Sequence, residues 1–364
     1  MKKYFLAIAS FFIYSHISLG QVYPGQMDST FVPVRSHHYD PELTFDFCVN
    51  EPAWSNQAGI HSAFGSTDRL YFRKEVPVNH DNDLSSSYST TVWRGERANA
   101  QILVWSSEAL EQVRVSTQDL RSAEGNIIPK DRITFELARY VLSNYPYAEK
   151  KAICGESPYK SGFLMPDRFE TLDRFDLPSQ TTRPVWMMVD VPRGTVPGTY
   201  KGQVEVRAKG KAPQLLNLEI VVQNQLLPYP KDWKYRLDLW QNPWAVAWYN
   251  HVEPWSPEHK MLLKQHLKHY ADAGGTYITT YGVHSPWSDN SYMIEGGMIE
   301  WIKKADGTWA FDYKIFDEYV ELAMECGIDE AITLYTPIPW GFRHRYKDEA
   351  TGDYSYINWA PSSE

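Results

Sequence analysis

The chain has 364 residues and a formal net charge of −9, with 43% hydrophobic and 22% charged residues. That length fits two or three soluble globular domains, and the acid excess argues against nucleic acid as a partner while leaving neutral ligands open. The unusual feature is 14 Trp and 24 Tyr. Such side chains pair apolar faces with polar edges, which suits sugars as well as a large core.

At the N-terminus, Lys2 and Lys3 precede an apolar run, Tyr4 to Tyr14, broken only by Ser10, and Ser18 and Gly20 supply small residues. This pattern predicts a signal peptide over 1–20, cleaved after Gly20, and a secreted or periplasmic protein. A span needs roughly 20 apolar residues, and His16 interrupts this run, so no membrane span is expected after cleavage. No cysteine follows to take a lipid. The three cysteines are Cys48, Cys154 and Cys326. None forms a Cys-x-x-Cys pair, so thiolate metal binding is not expected. Cys326 falls on the apolar stripe of a helix and reads as a small buried hydrophobe. Cys48 and Cys154 could pair in an exported protein, and the sequence leaves that open.

Residues 21–90 are polar and irregular and are expected to form a leading segment packed on the domain that follows. From 91 to 230 the period is two. Val185, Met187, Val189 and Val191 alternate with polar or larger residues, and so do Tyr200 to Ala208 and Leu216 to Val222. The turns at Pro192-Arg193-Gly194 and Pro197-Gly198 separate these runs. The pattern predicts an antiparallel β-sandwich domain, with Gln101 to Trp105 and Val113 to Thr117 in the same sheet system. Leu226 to Trp233, carrying Pro228 and Pro230, reads as a stiff junction.

Over 231–364 the period changes. Tyr235 to Gln241 reads as a strand. Ser256 and Pro257 open a helix whose apolar face is Leu263, Leu267, Tyr270 and Ala271, closed by Gly274 and Gly275. Thr276 to Val283 is a second strand. Met298 to Phe311 is a hairpin turning at Asp306-Gly307. A helix from Asp312 carries Ile315, Tyr319, Leu322, Ala323 and Cys326 and stops at Gly327. Ala331 to Thr336 is a third strand. Strand–helix alternation implies parallel strands with crossover helices. The fold class expected is therefore multidomain: an antiparallel β-sandwich followed by an incomplete (β/α)8 TIM-type barrel, its first three strands only. A whole barrel takes roughly 250 residues, about twice what 235–364 provides, so a truncated chain is expected.

In a barrel the apolar faces meet the helices and the alternate residues point inward. Asp238 and Trp240 then sit near the carboxyl end of the first strand, where barrel sites lie, with Asn242 and Trp244 just beyond. Asp238 could instead pair with Arg236 to support the barrel floor. The second strand ends in Tyr281, His284 and Trp287, and the third in Tyr335 and Trp340. Ile332 and Leu334 are expected against helices, Thr333 and Tyr335 inward. Three strand ends that each deliver an aromatic suggest a stacking platform for a sugar ring. The candidate substrate-binding residues are thus Asp238, Trp240, Asn242, Trp244, Tyr281, His284, Trp287, Tyr335 and Trp340.

Four stretches, Asp238 to Trp244, Tyr281 to Trp287, Trp301 to Trp309 with Phe311-Asp312-Tyr313, and Tyr335 to Gly341, resemble the catalytic domain of glycoside hydrolase family 123. Val92 to Arg97 and Arg183 to Gly202 resemble the domain that precedes it. The resemblance covers roughly 90 to 364. It implies a retaining, substrate-assisted β-N-acetylgalactosaminidase mechanism that needs no metal or cofactor. In it the substrate's own 2-acetamido oxygen is the nucleophile, and adjacent Asp and Glu residues after the fourth barrel strand orient that group and protonate the leaving oxygen.

The chain has three Asp-Glu dipeptides: Asp317-Glu318, Asp329-Glu330 and Asp348-Glu349. They are read as a helix position, the barrel's stability face and a polar loop, so no catalytic residue is assigned, and the family's pair is expected beyond Glu364. The leading expectation is an exported glycosidase of β-linked N-acetylhexosaminides, whose partner is an N-acetylhexosamine-containing glycan. The alternatives are a noncatalytic carbohydrate-binding protein and a sandwich-based surface module with a degenerate barrel.

Overall fold

The computed structural model describes residues 51–77, 84–143, 163–171, 173–286 and 296–359. Residues 1–20, where a signal peptide is expected, and Cys48, Cys154 and Trp287 lie outside the described residues. The chain divides into two compact units, with the boundary between Leu227 and Pro228.

The first unit is built of strands β1 (His61–Gly65), β2 (Ser87–Arg94), β3 (Arg97–Ser106), β4 (Leu110–Thr117), β5 (Leu120–Arg121), β6 (Ile127–Ile128), β7 (Ile133–Ser143), β8 (Phe163–Glu170), β9 (Phe175–Leu177), β10 (Thr181–Asp190), β11 (Gly198–Arg207) and β12 (Gln214–Leu226). One sheet runs β1-β3-β10-β7-β8. The other runs β2-β12-β11-β4-β9, with β5 pairing with β11 and β6 pairing with β5. Ala98, Ala100, Ile102 and Val104 of β3 share one core with Val204 and Val206 of β11 and Leu216, Leu218 and Ile220 of β12. The alternation read from the sequence puts every second side chain into that core, as two face-packed sheets require.

Two details depart from the sequence reading. The pair β2–β12 is parallel, with Leu218 opposite Tyr88, so the sheets are not purely antiparallel. In addition, β1 and the first half of β2 lie inside the 21–90 segment read as irregular. β1 has only five residues, and β2 opens on a Ser/Thr-rich stretch without apolar alternation. The 51–77 stretch covers part of the first sheet's other face, where Trp54, Tyr71 and Val76 pack on Leu103 and Trp105.

The second unit holds helices α1 (Pro243–Asn250), α2 (Pro257–Asp272) and α3 (Lys314–Glu325) and strands β13 (Tyr277–Tyr281), β14 (Glu300–Lys303), β15 (Trp309–Asp312), β16 (Ala331–Tyr335), β17 (Arg343–Asp348) and β18 (Tyr354–Asn358). The Ser256 hydroxyl accepts from the His259 N–H at 3.2 Å and caps α2, with Pro257 at its first position. Leu263, Leu267 and Tyr270 of α2 and Tyr319 and Ala323 of α3 bury against Ile278, each Leu contributing about 1.5–3 kcal/mol. Gly327 ends the α3 region at φ +93°, a conformation glycine adopts without strain. Cys326 is buried in this core.

β13 and β16 pair in parallel, with Thr279 opposite Thr333 and Tyr281 opposite Tyr335. The hairpin β14–β15 turns at Asp306-Gly307 and joins β17–β18 in a second sheet, ordered β15-β14-β17-β18. The strand expected over Tyr235–Gln241 is reduced to one parallel bridge, Leu237 to Gly275. A tyrosine occupies the gap. The Tyr270 hydroxyl lies 2.6 Å from the Leu237 carbonyl and 2.8 Å from that of Tyr277, and accepts from the Leu239 N–H at 3.4 Å. These bonds replace the ladder between the two segments. Ile332 and Leu334, expected against helices, are 50% and 48% exposed.

Candidate functional site

The inward residues of the three segments do share a face. Asp238 accepts from the Thr279 hydroxyl at 3.2 Å and from the Thr333 hydroxyl at 3.1 Å, one bond to each carboxylate oxygen. The carboxylate thus holds the 235–241 segment to both parallel strands. One step toward the strand ends comes a layer of rings. The centroids of Trp240 and Tyr335 are 4.7 Å apart, and those of Tyr335 and Tyr281 6.4 Å. Trp240 is 56% exposed.

The other predicted residues divide by burial. Asn242 caps α1, its side-chain oxygen accepting from the Ala245 N–H at 3.2 Å. Trp244 is buried edge-on to Tyr281 and Trp255, and Gly296 lies flat beneath its indole, where a Cβ would come within 2.5 Å. Tyr281 is also buried and donates its hydroxyl to the Gln241 carbonyl. Trp340 is 62% exposed, and its backbone N–H donates to the Pro286 carbonyl at 2.9 Å. That bond ties the loop after β16 to the loop after β13. Trp287 is outside the described residues.

His284 lies beyond Tyr281, lining a cavity of about 790 Å³ with Trp244, Trp255, Glu300, Trp301, Arg345 and Tyr354 among others. Burial, with Arg345 nearby, pushes its pKa down to about 4, so the imidazole is neutral at pH 7. Its Nδ1 is buried without a hydrogen-bond partner. Trp255, Glu300, Arg345 and Tyr354 were not singled out from the sequence. The alternation of cations and tyrosines in Arg343 to Asn358 was the available signal for the last two, but it reads as an ordinary exposed hairpin.

Each Asp-Glu pair is engaged through its glutamate. Glu318 pairs with Lys260 at 3.2 Å. Glu330 accepts from the Thr276 and Tyr277 hydroxyls. Glu349 accepts from Lys304 and from the Ala305 N–H, and Lys304 holds its carboxyl below the usual carboxylate range. Among the described residues no group of three His, Cys, Asp or Glu could hold a metal ion. No helix there is long and apolar enough to cross a membrane.

Two sheets around one core, followed by a strand–helix unit with polar and aromatic side chains at its strand ends, define a multidomain, strand-rich protein. Residues 240–364 match the glycoside hydrolase 123 catalytic domain, and 64–208 match the glycoside hydrolase 123 N-terminal domain. The chain belongs to the glycoside hydrolase 123 family. It is similar to a family 123 glycoside hydrolase from Clostridium perfringens, whose structure bears on glycolipid glycan hydrolysis, with 26% identity and a TM-score of 0.74 over 84% of this chain. The match spans 53% of that protein, about half its length. The PapD-like domain 7 of human CEP192 aligns over 51% of this chain and 99% of its own, at 12% identity and a TM-score of 0.24. No curated protein matches the sequence.

Proposed function

We propose that this chain is the sugar-gripping part of an exported glycoside hydrolase acting on β-linked N-acetylhexosaminides, N-acetylgalactosamine foremost. The 228–364 unit is then the first part of a (β/α) barrel. The observation that carries this reading is the layered face, with Asp238 held by Thr279 and Thr333 beneath the Trp240–Tyr335 pair. An exposed indole stacks on the apolar face of a pyranose, and the exposed Trp340 supplies a second aromatic surface. The hydrolysis is retaining and substrate-assisted. The acetamido oxygen attacks the anomeric carbon as the glycosidic bond breaks, a general acid protonates the departing oxygen, and water then opens the bicyclic intermediate. This chemistry asks the protein for orientation and for one proton donor. Residues of the layered face supply orientation.

The acid is not assigned to the three Asp-Glu pairs, because each glutamate already holds a structural partner. That same observation favours the second reading, a carbohydrate-binding protein without turnover. Incubation of the chain with an aryl β-N-acetylgalactosaminide separates the two. Phenol release supports the hydrolase. Saturable binding without release supports the binding protein. Absence of both removes the sugar reading and leaves a surface module.

A further inference from the structure

One buried imidazole joins three pieces of the second unit. His259, in the first turn of α2, is fully buried. Its Nδ1 accepts from the Trp255 N–H at 2.8 Å, and its Nε2 lies 2.8 Å from the carbonyl of Pro243, the first residue of α1. A backbone N–H only donates and a carbonyl only accepts, so the ring is neutral with its proton on Nε2. The helix cap does not require this ring, because the Ser256 hydroxyl already accepts from the His259 N–H.

What the ring holds is strained. Trp255 has φ +65°, a left-handed backbone that a bulky residue keeps only where its surroundings impose it. Its indole meets Trp244 and Tyr319 edge-on, with centroids 5.5 and 5.9 Å away. With Glu253 and Pro254 it forms one wall of the cavity of about 790 Å³. The wall thus has a relaxed backbone open to it, and the bond to Nδ1 opposes that change.

A second proton removes the opposition. An imidazolium has two donors and no acceptor, so a protonated Nδ1 would face the Trp255 N–H donor to donor. The charged groups on the surrounding elements are Glu253 on the turn, Lys260 on α2 and Glu318 on α3, the last two paired at 3.2 Å. The Tyr319 phenol of α3 is buried against Trp255, and α1 carries no charged side chain. Burial governs the ring, pushing its pKa down, and the Pro243 bond opposes that shift.

We propose that His259 is a proton-sensitive latch on this wall. As a neutral ring it keeps Trp255 in its left-handed backbone and the cavity in its present shape. On protonation it lets Trp255 relax and the wall move. The latch sets the shape of the cavity whatever the cavity admits.

Two measurements on the full chain test it. Long-range proton–nitrogen spectra of the histidine rings, with His259 assigned through its cross-peaks to Trp255, are expected to place the proton on Nε2 at neutral pH. A proton on Nδ1 overturns the latch, and this reading needs no variant to fold. The second measurement is amide exchange of the 251–258 peptide, corrected for intrinsic rate, from about pH 7.5 down to about pH 4.5. His259→Leu is expected to raise the rate about tenfold at neutral pH, as loss of one hydrogen bond allows. The unmodified chain should approach that rate as pH falls. His259→Asn keeps an acceptor near the place of Nδ1 and does not titrate, so its rate should stay flat. The other histidines titrate in all three chains, so a slope confined to the unmodified one belongs to His259. The same slope in His259→Asn overturns the switch, and an unchanged rate in His259→Leu overturns the latch.

Discussion

The hydroxyl of Tyr270 donates to the backbone carbonyl of Leu237 at 2.6 Å, and a side chain thereby does the work of a strand ladder. The same oxygen lies 2.8 Å from the Tyr277 carbonyl and accepts from the Leu239 N–H. Gly275 makes room for the ring, since a Cβ there would come within 2.2 Å of it. Tyr270→Phe keeps the ring and removes the hydroxyl, leaving half-buried backbone groups unpaired. The expected cost is about 1–3 kcal/mol, read as a lower urea midpoint at unchanged m-value. An unchanged midpoint would show that the remaining contacts, those of Asp238 and Tyr281 among them, hold the 235–241 segment without it.

Trp240 rests on Tyr335 and is exposed over half its surface. Trp240→Ala is expected to weaken binding of N-acetylgalactosamine by about fivefold or more, equivalent to about 1 kcal/mol of aromatic contact, and to leave thermal stability nearly unchanged. Trp244→Ala should do the reverse, because its indole is core. A cavity of that kind costs about 3–5 kcal/mol. Paired melting curves and titrations of the two variants check both halves.

That contrast marks how far the sequence could be read. Alternation placed Asp238, Thr333 and Tyr335 on one face correctly, because side-chain direction in extended chain has a period of two. It could not tell that Trp244 and Tyr281 would be covered while Trp240 stayed over half exposed, since burial depends on segments packing from elsewhere in the chain, such as Gly296 against Trp244. Helix α1 itself was missed. It is short, eight residues with three aromatics, and its signal is confined to the Asn242-Pro243 start. The Tyr235–Gln241 alternation was genuine, yet its ladder was displaced by a tyrosine from a helix, a contact that leaves no local trace.

The neutral imidazole of His284 makes a pH prediction. Its folded-state pKa is about 4, against an ordinary 6.5. Between those values the unfolded chain binds more protons than the folded one, so stability rises with pH there. The stabilisation is complete above about 6.5 and is lost as pH falls toward 4. His259, His266 and His344 are shifted the same way by burial and share the slope. His284→Gln should flatten the plot of melting temperature against pH within this window. Parallel curves for parent and variant would rule His284 out as a contributor.

The outer side of β16 presents a different liability. Among the described residues β16 pairs only with β13, so one edge of the strand has no ladder partner. Ile332 and Leu334 stand half exposed on one of its faces. An apolar strand with an open edge is a template for pairing with another chain, and a lysine there opposes such pairing by charge and by its need for water. Leu334→Lys is therefore expected to reduce concentration-dependent association of the full chain in sedimentation velocity, with melting temperature nearly unchanged because the replaced side chain is not core. The same substitution at the buried Ile278 should instead unfold the second unit, since it puts a charge into the core between α2 and α3. Association that persists undiminished in Leu334→Lys would place the contact elsewhere on the molecule.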